Sequence, residues 1–309
     1  MNSSLSSTDH PSTDHRRALV LGGGAATGNA WLIGVMAGLR GAGIDVRDAD
    51  LVVGTSAGST AAAQIGAKDP AELYSDIIDP ETIRQIESAM TNPNRRRALT
   101  PDHLNRLIST AEASADFADF RRRIGAAALD DPASHDDERR DWWRRTVASR
   151  FAPHDWPKRR TLITAVDAGT GEPVVFDGSS GVDLVDAVAA SCSGGAAYRI
   201  DDRHYLDGGY RSNAENADLA RGYGHVLVLS PLGGRSLLPE EWKVRLAYQV
   251  EDLRASGSTV ETVVPPADAE RYFGTNATNL SLRAPAARVG WDQGRELAKG
   301  LAESWAIAG

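Results

Sequence analysis

A serine stands between two glycines where an apolar strand turns into a helix of small residues. The segment reads LVVGTSAGSTAAAQIGA, and Gly54, Ser56 and Gly58 form a G-x-S-x-G pattern. Glycines at the outer positions remove Cβ atoms where strand and helix crowd together, so the serine hydroxyl stays exposed at the corner. The N-terminus of the helix also favours a developing alkoxide. The pattern predicts a nucleophilic serine; the simpler alternative is a serine that only caps the helix.

A second glycine-rich turn, GGGAATG, also follows an apolar strand and opens a helix. It runs from Gly22 to Gly28. Several backbone N–H groups converge in such a turn with no side chains between them, which makes a cradle for an anion. That anion is either a dinucleotide pyrophosphate or the oxyanion of an acyl-transfer intermediate. A dinucleotide site needs an acidic residue at the end of the second strand, which instead ends in Gly-Thr-Ser, so we favour the oxyanion.

An aspartate in the segment YLDGGY completes the candidate catalytic set. Asp207 lies between a short apolar strand and the turn Gly208–Gly209, which reverses the backbone and brings the carboxylate to a corner. On its own, Asp-Gly-Gly is a common turn. Together, the glycine loop, Ser56 and Asp207 supply what serine-dependent acyl transfer requires: an anion hole, a nucleophile and a base.

Alternating strands and helices are expected to position these residues. From Ala18 onward the pattern predicts strand, turn and helix twice in succession, so the first two strands should be parallel. Between about 70 and 158 we predict a helical insert of short amphipathic helices with proline-rich joints. Further strands are predicted in RTLITAVDA, EPVVFDGS, the hairpin YRIDDRHYLDGGY, HVLVLSPLGG and STVETVVPP, and helices in DLVDAVAASCSGGA, EEWKVRLAYQVEDLRASG and GWDQGRELAKGLAESWAIA.

The predicted fold class is therefore α/β, with a mainly parallel central sheet flanked by helices. A chain of 309 residues is compatible with one large domain. Residues 1–16 are rich in Ser, Thr, Asp, His and Pro and are expected to form a disordered tail, and residues 17–309 to form a single domain that includes the insert. No secretory signal or membrane-spanning stretch is recognised, so we expect a cytoplasmic protein.

Composition narrows the expected partners. A net charge of −8 argues against a nucleic acid as the main partner. The single cysteine, Cys192, excludes an internal disulfide, and no residues have metal-ligand spacing, so no metal or other cofactor is expected. The pair Trp142–Trp143 is a candidate for transient contact with a membrane surface. The simpler interpretation is that one ring packs inward while the other covers a helix.

In this order along the chain, the three motifs resemble the patatin-like phospholipase family. The resemblance extends from Leu19 to about Leu297 and rests on LGGGAATGNAWLIGVMAGL, ADLVVGTSAGS, VDAVAASCS, YLDGGYRSNAENADLA, VLVLSPL and GWDQGRELA. It implies a patatin-like fold, a lipid or ester substrate, and acyl hydrolysis by a Ser–Asp dyad without histidine. Matched by position, Ser56 corresponds to the nucleophile and Asp207 to its base. The implied oxyanion-hole donors are the N–H groups of Gly23, Gly24 and Ala25.

Two positions differ from the pattern of that family. Thr27 stands where many members have an arginine, and Ser193-Gly194-Gly195 follows the Ala-Ser dipeptide where Val-Pro is frequent. Without the arginine, a neutral ester, glyceride or lysolipid is accommodated as easily as an anionic phospholipid. The supporting glycines of the three motifs are Gly22, Gly28, Gly54, Gly58, Gly208 and Gly209.

Two other functions stay open on the sequence. An α/β-hydrolase esterase would add a histidine, and His225 follows Ser56 and Asp207 in the chain order of those enzymes, although it opens a strand. His204 is also near Asp207 in the sequence. The other histidines are expected to be solvated: His10, His15, His103, His135 and His154. The remaining alternative is a catalytically silent protein that binds a lipid or a nucleotide.

Overall fold

The computed structural model describes residues 15–90 and 101–305, so most of the predicted tail lies outside the described residues. The strands are β1 (Arg17–Leu21), β2 (Leu51–Gly54), β3 (Arg160–Asp167), β4 (Pro173–Phe176), β5 (Tyr198–Ile200), β6 (Arg203–Asp207), β7 (His225–Leu229) and β8 (Thr259–Val263). The helices are α1 (Ala25–Gly41), α2 (Ala57–Ala67), α3 (Pro70–Ile78), α4 (Pro80–Met90), α5 (Pro101–Glu112), α6 (Phe117–Leu129), α7 (Asp137–Ala148), α8 (Leu184–Ser191), α9 (Leu246–Ala255) and α10 (Arg283–Trp305).

All eight strands belong to one mixed sheet. The strand order is β5-β6-β3-β2-β1-β7-β8, and β4 pairs with β3. The run β3-β2-β1-β7-β8 is parallel, whereas β4 and β6 are antiparallel to β3 and β5 is antiparallel to β6. The α/β fold with a mainly parallel sheet is confirmed, and so is the predicted hairpin, which consists of β5 and β6.

Helices cover both faces of the sheet because side chains of each strand alternate between them. In β1, Leu19 and Leu21 join the larger core cluster, which also contains residues of α1, α2, α8 and α10. Ala18 and Val20 join the cluster on the opposite face, where α9 packs. The chain is therefore a three-layer structure with the sheet in the middle.

Helices α1 and α10 contact each other through glycines. Each helix has two glycines four residues apart, a spacing that places both on one face. A Cβ atom added at any of them would overlap a backbone carbonyl oxygen of the other helix, and the four positions are Gly34, Gly38, Gly290 and Gly294. The two backbones therefore touch directly, and α10 fixes the position of the helix that begins at the glycine-rich loop.

This contact predicts opposite effects of the same substitution at two points of α10. Gly294→Ala should lower the free energy of unfolding by about 1–3 kcal/mol, because its Cβ would overlap the Val35 carbonyl oxygen. Gly300→Ala should raise it by about 0.5–1 kcal/mol, because nothing lies within 4 Å of the added Cβ and alanine is the better helix former. Urea unfolding of both variants measures the difference, and equal stability would contradict the close contact.

Two of the predicted helices have different bounds in the structure. The predicted helix over EEWKVRLAYQVEDLRASG is wrong in its first third: Lys243 has a left-handed φ of 52°, and α9 begins only at Leu246. A hydrogen bond from Asn213 Nδ2 to the Val244 carbonyl oxygen (2.8 Å) holds this stretch outside the helix. In contrast, α10 begins seven residues before the predicted start, because Pro285 lies in its first turn, where no N–H is needed.

In the described part of the segment between α2 and β3 lie the α-helices α3 to α7. In α7, Trp143 packs against the core and donates its indole N–H to the Ala189 carbonyl oxygen (3.0 Å), whereas the side chain of Trp142 is 54% exposed. One ring therefore packs inward and the other lies on the helix surface, as the simpler interpretation predicts. Among the described residues, no helix is both long enough and apolar enough to cross a bilayer.

Candidate active site

Strand register brings the three sequence motifs to one edge of the sheet. Leu21, Gly54 and Leu229 end neighbouring parallel strands at the same level, so the turns that follow β1, β2 and β7 emerge together. β6 runs the other way along β3, and its last residue, Asp207, pairs with Ala165, two residues beyond the level of Gly54. The glycine-rich loop, Ser56 and Asp207 therefore share one corner.

Ser56 has a strained backbone that three groups hold in place. Its φ of 52° and ψ of −114° lie in a region that residues other than glycine rarely adopt. Its N–H donates to Ser191 Oγ (2.9 Å), and its carbonyl oxygen accepts from Ser59 Oγ (2.6 Å) and Cys192 Sγ (3.0 Å). Such strain at a strand-to-helix corner is the geometry of a nucleophile elbow.

The glycines around these residues are required by close packing. A Cβ atom at Gly54 would lie 2.7 Å from the Cα atom of Ser59, and one at Gly58 would overlap the Leu21 carbonyl oxygen. At the other side of the corner, a Cβ at Gly208 would overlap Thr164. These glycines therefore let β1, the elbow and the Asp207 turn approach one another.

Asp207 is mostly buried and lies beside Ser56. Its Oδ1 accepts a hydrogen bond from the Gly209 N–H (2.8 Å), and the Ser56 side chain is close enough to lower its pKa. Burial raises the pKa of Asp207 to about 6, although the Gly209 N–H and the Ser56 side chain partly oppose the rise. A carboxylate desolvated in this way is a stronger base than an aspartate in water.

The glycine-rich loop passes directly beside Ser56, but not all of its N–H groups are free. A Cβ atom at Gly23 would lie 3.5 Å from that of Ser56. The Gly23 N–H donates to the Ala214 carbonyl oxygen (2.8 Å), so the expectation that it belongs to an oxyanion hole is wrong. Gly24 and Ala25 donate no backbone hydrogen bond to any other described residue, and Ala25 has a φ of 52°. Two donors next to the serine are thus available to an anion.

Close contacts of Gly22, Gly24 and Gly28 also fix the shape of the loop. The Gly22 N–H donates to the Leu229 carbonyl oxygen (3.0 Å), which joins the loop to the end of β7. Cβ atoms at Gly24 and Gly28 would lie 2.6 Å and 3.1 Å from Cβ of Pro231. A side chain at Gly24 would therefore displace the loop or the proline.

A buried polar network that sequence reasoning missed links the three motifs. Asn216 Nδ2 donates to Thr55 Oγ1 (2.9 Å) and to the Gly208 carbonyl oxygen (3.0 Å), which joins the elbow to the Asp207 turn. Asn213 Oδ1 accepts the N–H groups of Glu215 and Asn216. In the sequence, this network corresponds to the run of polar residues in YRSNAENADLA. A sequence pattern does not reveal that these residues are buried.

Glu215 is a second buried carboxyl group under the glycine-rich loop. It is 1% exposed and accepts a hydrogen bond from Ser230 Oγ (2.6 Å) at Oε1. Burial raises its pKa to about 7, against the opposing effect of the Ser230 hydrogen bond. Its carbon chain lies under Gly22, where an added Cβ would be 3.3 Å from Cγ. Glu215 therefore supports the loop and titrates in the same range as Asp207.

The two histidines nearest to Asp207 in the sequence lie away from the corner that holds Ser56. His225 is the first residue of β7, four residues before Leu229, which places it about 13 Å along the strand from the end where Ser56 lies. His204 lies in β6 on the strand face opposite Asp207, beside His135. Of the remaining candidates, His10 lies outside the described residues. Within the described ranges, no three His, Cys or acidic residues are grouped to hold a metal ion.

Comparison with known proteins identifies the family of the chain. The family of patatin-like phospholipases matches residues 19–218. Among solved structures, VipD from Legionella pneumophila is similar to the chain with a TM-score of 0.44 and 13% identity, over 93% of this chain and 67% of VipD. No curated protein sequence matches the chain. Because the family match spans more than half of the 309 residues and contains all three motifs, the chain belongs to the patatin-like phospholipase family.

Proposed function

We propose that this protein is a lipid acyl hydrolase that uses Ser56 as its nucleophile and Asp207 as its base. The observation that carries the proposal is that Ser56, at a strained strand-to-helix corner, lies beside the mostly buried Asp207 carboxyl group and lowers its pKa. Family membership supports hydrolysis of a lipid substrate. The free N–H groups of Gly24 and Ala25 beside the serine support acyl transfer over mere ligand binding.

The proposed reaction has two halves. Ser56 Oγ attacks the ester carbonyl carbon while Asp207 takes the hydroxyl proton, and the resulting oxyanion accepts hydrogen bonds from Gly24 and Ala25. Asp207 then gives the proton to the departing alcohol, which leaves an acyl-enzyme. In the second half, Asp207 takes a proton from water as the water attacks the acyl group, and returns it to Ser56 Oγ. The fatty acid is released and the serine is regenerated.

Hydrolysis by the purified protein tests the proposal directly. We expect turnover of p-nitrophenyl butyrate, and release of fatty acid from a panel of phospholipids, lysolipids and glycerides detected by mass spectrometry. Activity should persist in EDTA, since neither half of the reaction needs a Lewis acid. If the folded protein cleaves no ester in the panel, the silent-binder alternative is the better account.

The raised pKa of Asp207 predicts an unusual pH profile. Asp207 accepts a proton only when ionised, so kcat/KM for p-nitrophenyl butyrate should fall about tenfold per pH unit below pH 6 and be level above it. An aspartate with the ordinary value of 3.8 would keep the activity constant down to about pH 4. A profile measured between about pH 4.5 and 9 distinguishes the two cases.

Glu215 provides the control for this profile, because it titrates near the same pH. In Glu215→Gln the amide oxygen still accepts from Ser230, while the titrating group is gone. The acid limb near pH 6 should therefore persist in this variant. A limb that disappears in Glu215→Gln would assign the titration to Glu215 and contradict the role of Asp207.

We further propose that residues 17–309 form one domain in which the helical segment 70–158 packs on the sheet layers. Three contacts support this organisation. Trp143 donates to Ala189, Arg121 Nε donates to the Gly171 carbonyl oxygen (2.7 Å), and the Tyr74 ring stacks on that of Trp291 with centroids 4.7 Å apart. The described helices of this segment therefore pack on α8, on α10 and on the turn between β3 and β4.

A further inference from the structure

Asn216 is a buried amide that lies between the nucleophile elbow and the turn of Asp207. The residue is 0% exposed. Its Nδ2 donates to Thr55 Oγ1 (2.9 Å), and Thr55 is the residue before Ser56. The same Nδ2 donates to the carbonyl oxygen of Gly208 (3.0 Å), the residue after Asp207. One NH2 group therefore binds both catalytic motifs, in each case at the residue next to the reacting one.

The surroundings of this amide hold it in one orientation. Asn216 has left-handed backbone angles (φ 57°, ψ 41°), which asparagine adopts more readily than most residues. Its N–H donates to Asn213 Oδ1 (2.7 Å), and its Oδ1 accepts from Arg211 Nη1 (3.1 Å). Arg211 is itself paired with Asp218 (2.9 Å). Because the amide oxygen faces a cation, the NH2 group is directed at the two motifs.

The two motifs are not joined by direct strand pairing. The elbow follows β2 and the Asp207 turn follows β6, and β3 lies between these strands in the sheet. Thr164 of β3 contacts both motifs: its Oγ1 donates to Thr55 Oγ1 (3.0 Å), and a Cβ atom at Gly208 would overlap it. Thr164 therefore acts as a spacer between the motifs, whereas Asn216 holds them against that spacer through a hydrogen bond to each.

We propose that Asn216 is a positioning residue that sets the distance between the Ser56 hydroxyl and the Asp207 carboxyl group. It cannot contact a substrate, because the whole residue is buried. It acts instead on proton transfer, which is efficient only when donor and acceptor lie within hydrogen-bond reach. This role rests on the proposed function, because it requires that Asp207 takes the proton of Ser56.

Two substitutions remove the donor and retain the backbone conformation. Asn216→Gly removes the side chain at a positive φ that suits glycine. Asn216→Asp keeps the shape but places an oxygen against the Gly208 carbonyl oxygen, and the adjacent Arg211 favours its charged form.

Both variants should lower kcat and leave KM unchanged. In each, kcat for p-nitrophenyl butyrate should fall about 10-fold or more, because displacement of a reacting group by about 1 Å can cost 100-fold in rate. KM should stay within about threefold of the wild-type value, because no contact with the substrate is removed. Steady-state kinetics of the two variants separate the two parameters.

Gln249 provides the matched control, because it is another buried amide bonded to the same segment. It is 7% exposed, accepts from the Ala217 N–H (2.9 Å) and donates to Ser212 Oγ (2.8 Å). In the described part of the chain its hydrogen-bond partners do not include Thr55 or Gly208. Gln249→Met keeps the size, removes the amide and should leave kcat within about threefold of the wild type. Circular dichroism and thermal unfolding verify that each variant is folded at the assay temperature.

Combination with Asp207→Asn distinguishes positioning from a merely structural role. The measured quantity is the rate constant for labelling of Ser56 by a fluorophosphonate. In the wild-type background, Asn216→Asp should lower this rate constant about 10-fold or more. In the Asp207→Asn background it should change the rate constant by less than about threefold, because no base is left to position. A residue that only stabilises the fold would lower the rate constant by the same factor in both backgrounds.

Three results would overturn the role of Asn216 and leave the proposed function standing. They are equal losses in the two backgrounds, a kcat within about threefold of the wild type in both Asn216 variants, and the same loss of kcat in Gln249→Met. A wild-type protein that cleaves no ester and is not labelled would refute the proposed function, and this role with it.

Discussion

Ser56→Ala is expected to lower kcat for p-nitrophenyl butyrate by about 10⁴-fold or more, because no other group can form the acyl-enzyme. The protein should stay folded, since the three hydrogen bonds that hold this residue use only backbone atoms of Ser56, its N–H and its carbonyl oxygen. Circular dichroism and thermal unfolding verify the fold, and stopped or continuous ester assays give the rate.

Ser59 is the control for this result. It lies three residues further along α2 and is buried, and its hydroxyl already donates to the Ser56 carbonyl oxygen. Ser59→Ala should change kcat by less than about tenfold, since it removes one supporting hydrogen bond. A large loss in Ser59→Ala beside an active Ser56→Ala would show that the wrong serine has been identified.

Asp207→Asn has the second large expected effect, a loss of about 10³-fold or more in kcat, because members of a dyad act as a unit. Asparagine keeps an oxygen that can accept from the Gly209 N–H, so the turn should persist. Burial raises the pKa of Asp207, which means that the charged form is the disfavoured one in the folded protein. Removing the charge should therefore not unfold the protein. The decrease in kcat then reports the loss of the proton acceptor.

His225→Ala separates the dyad from a histidine-dependent esterase. His225 lies at the start of β7, at the opposite end of the sheet from Ser56, so its removal should leave most of the activity. The reverse pattern, an inactive His225→Ala beside a largely active Asp207→Asn, would refute the dyad and return the assignment to a triad with histidine.

The sequence predicted those parts of the site that depend on local geometry. The elbow requires Gly54 and Gly58 because a Cβ at either position collides with neighbouring backbone, and such a requirement leaves a visible pattern. The Asp-Gly-Gly turn and the parallel pairing of the first two strands are likewise local. Because parallel strands end at one edge of the sheet, the glycine-rich loop after β1 and the elbow after β2 were expected to lie together. The Asp207 turn reaches the same corner from β6, which is antiparallel to β3, and chain order alone does not predict that pairing.

Long-range contacts explain what the sequence did not predict. The Gly23 N–H is committed to Ala214, a residue nearly two hundred positions away, so a glycine that looks like an anion donor is not one. Asn213 similarly explains why α9 begins later than predicted, because its side-chain amide donates to the Val244 carbonyl oxygen.

Peptide mapping after reaction with a fluorophosphonate tests the central claim most directly. A fluorophosphonate reacts with an activated serine hydroxyl, so the wild-type protein should carry one adduct, on the peptide that contains Ser56. Asp207→Asn should slow the labelling by roughly the factor by which it slows ester turnover, because both reactions need the same proton acceptor. An adduct on another serine, or undiminished labelling of Ser56→Ala, would contradict the account.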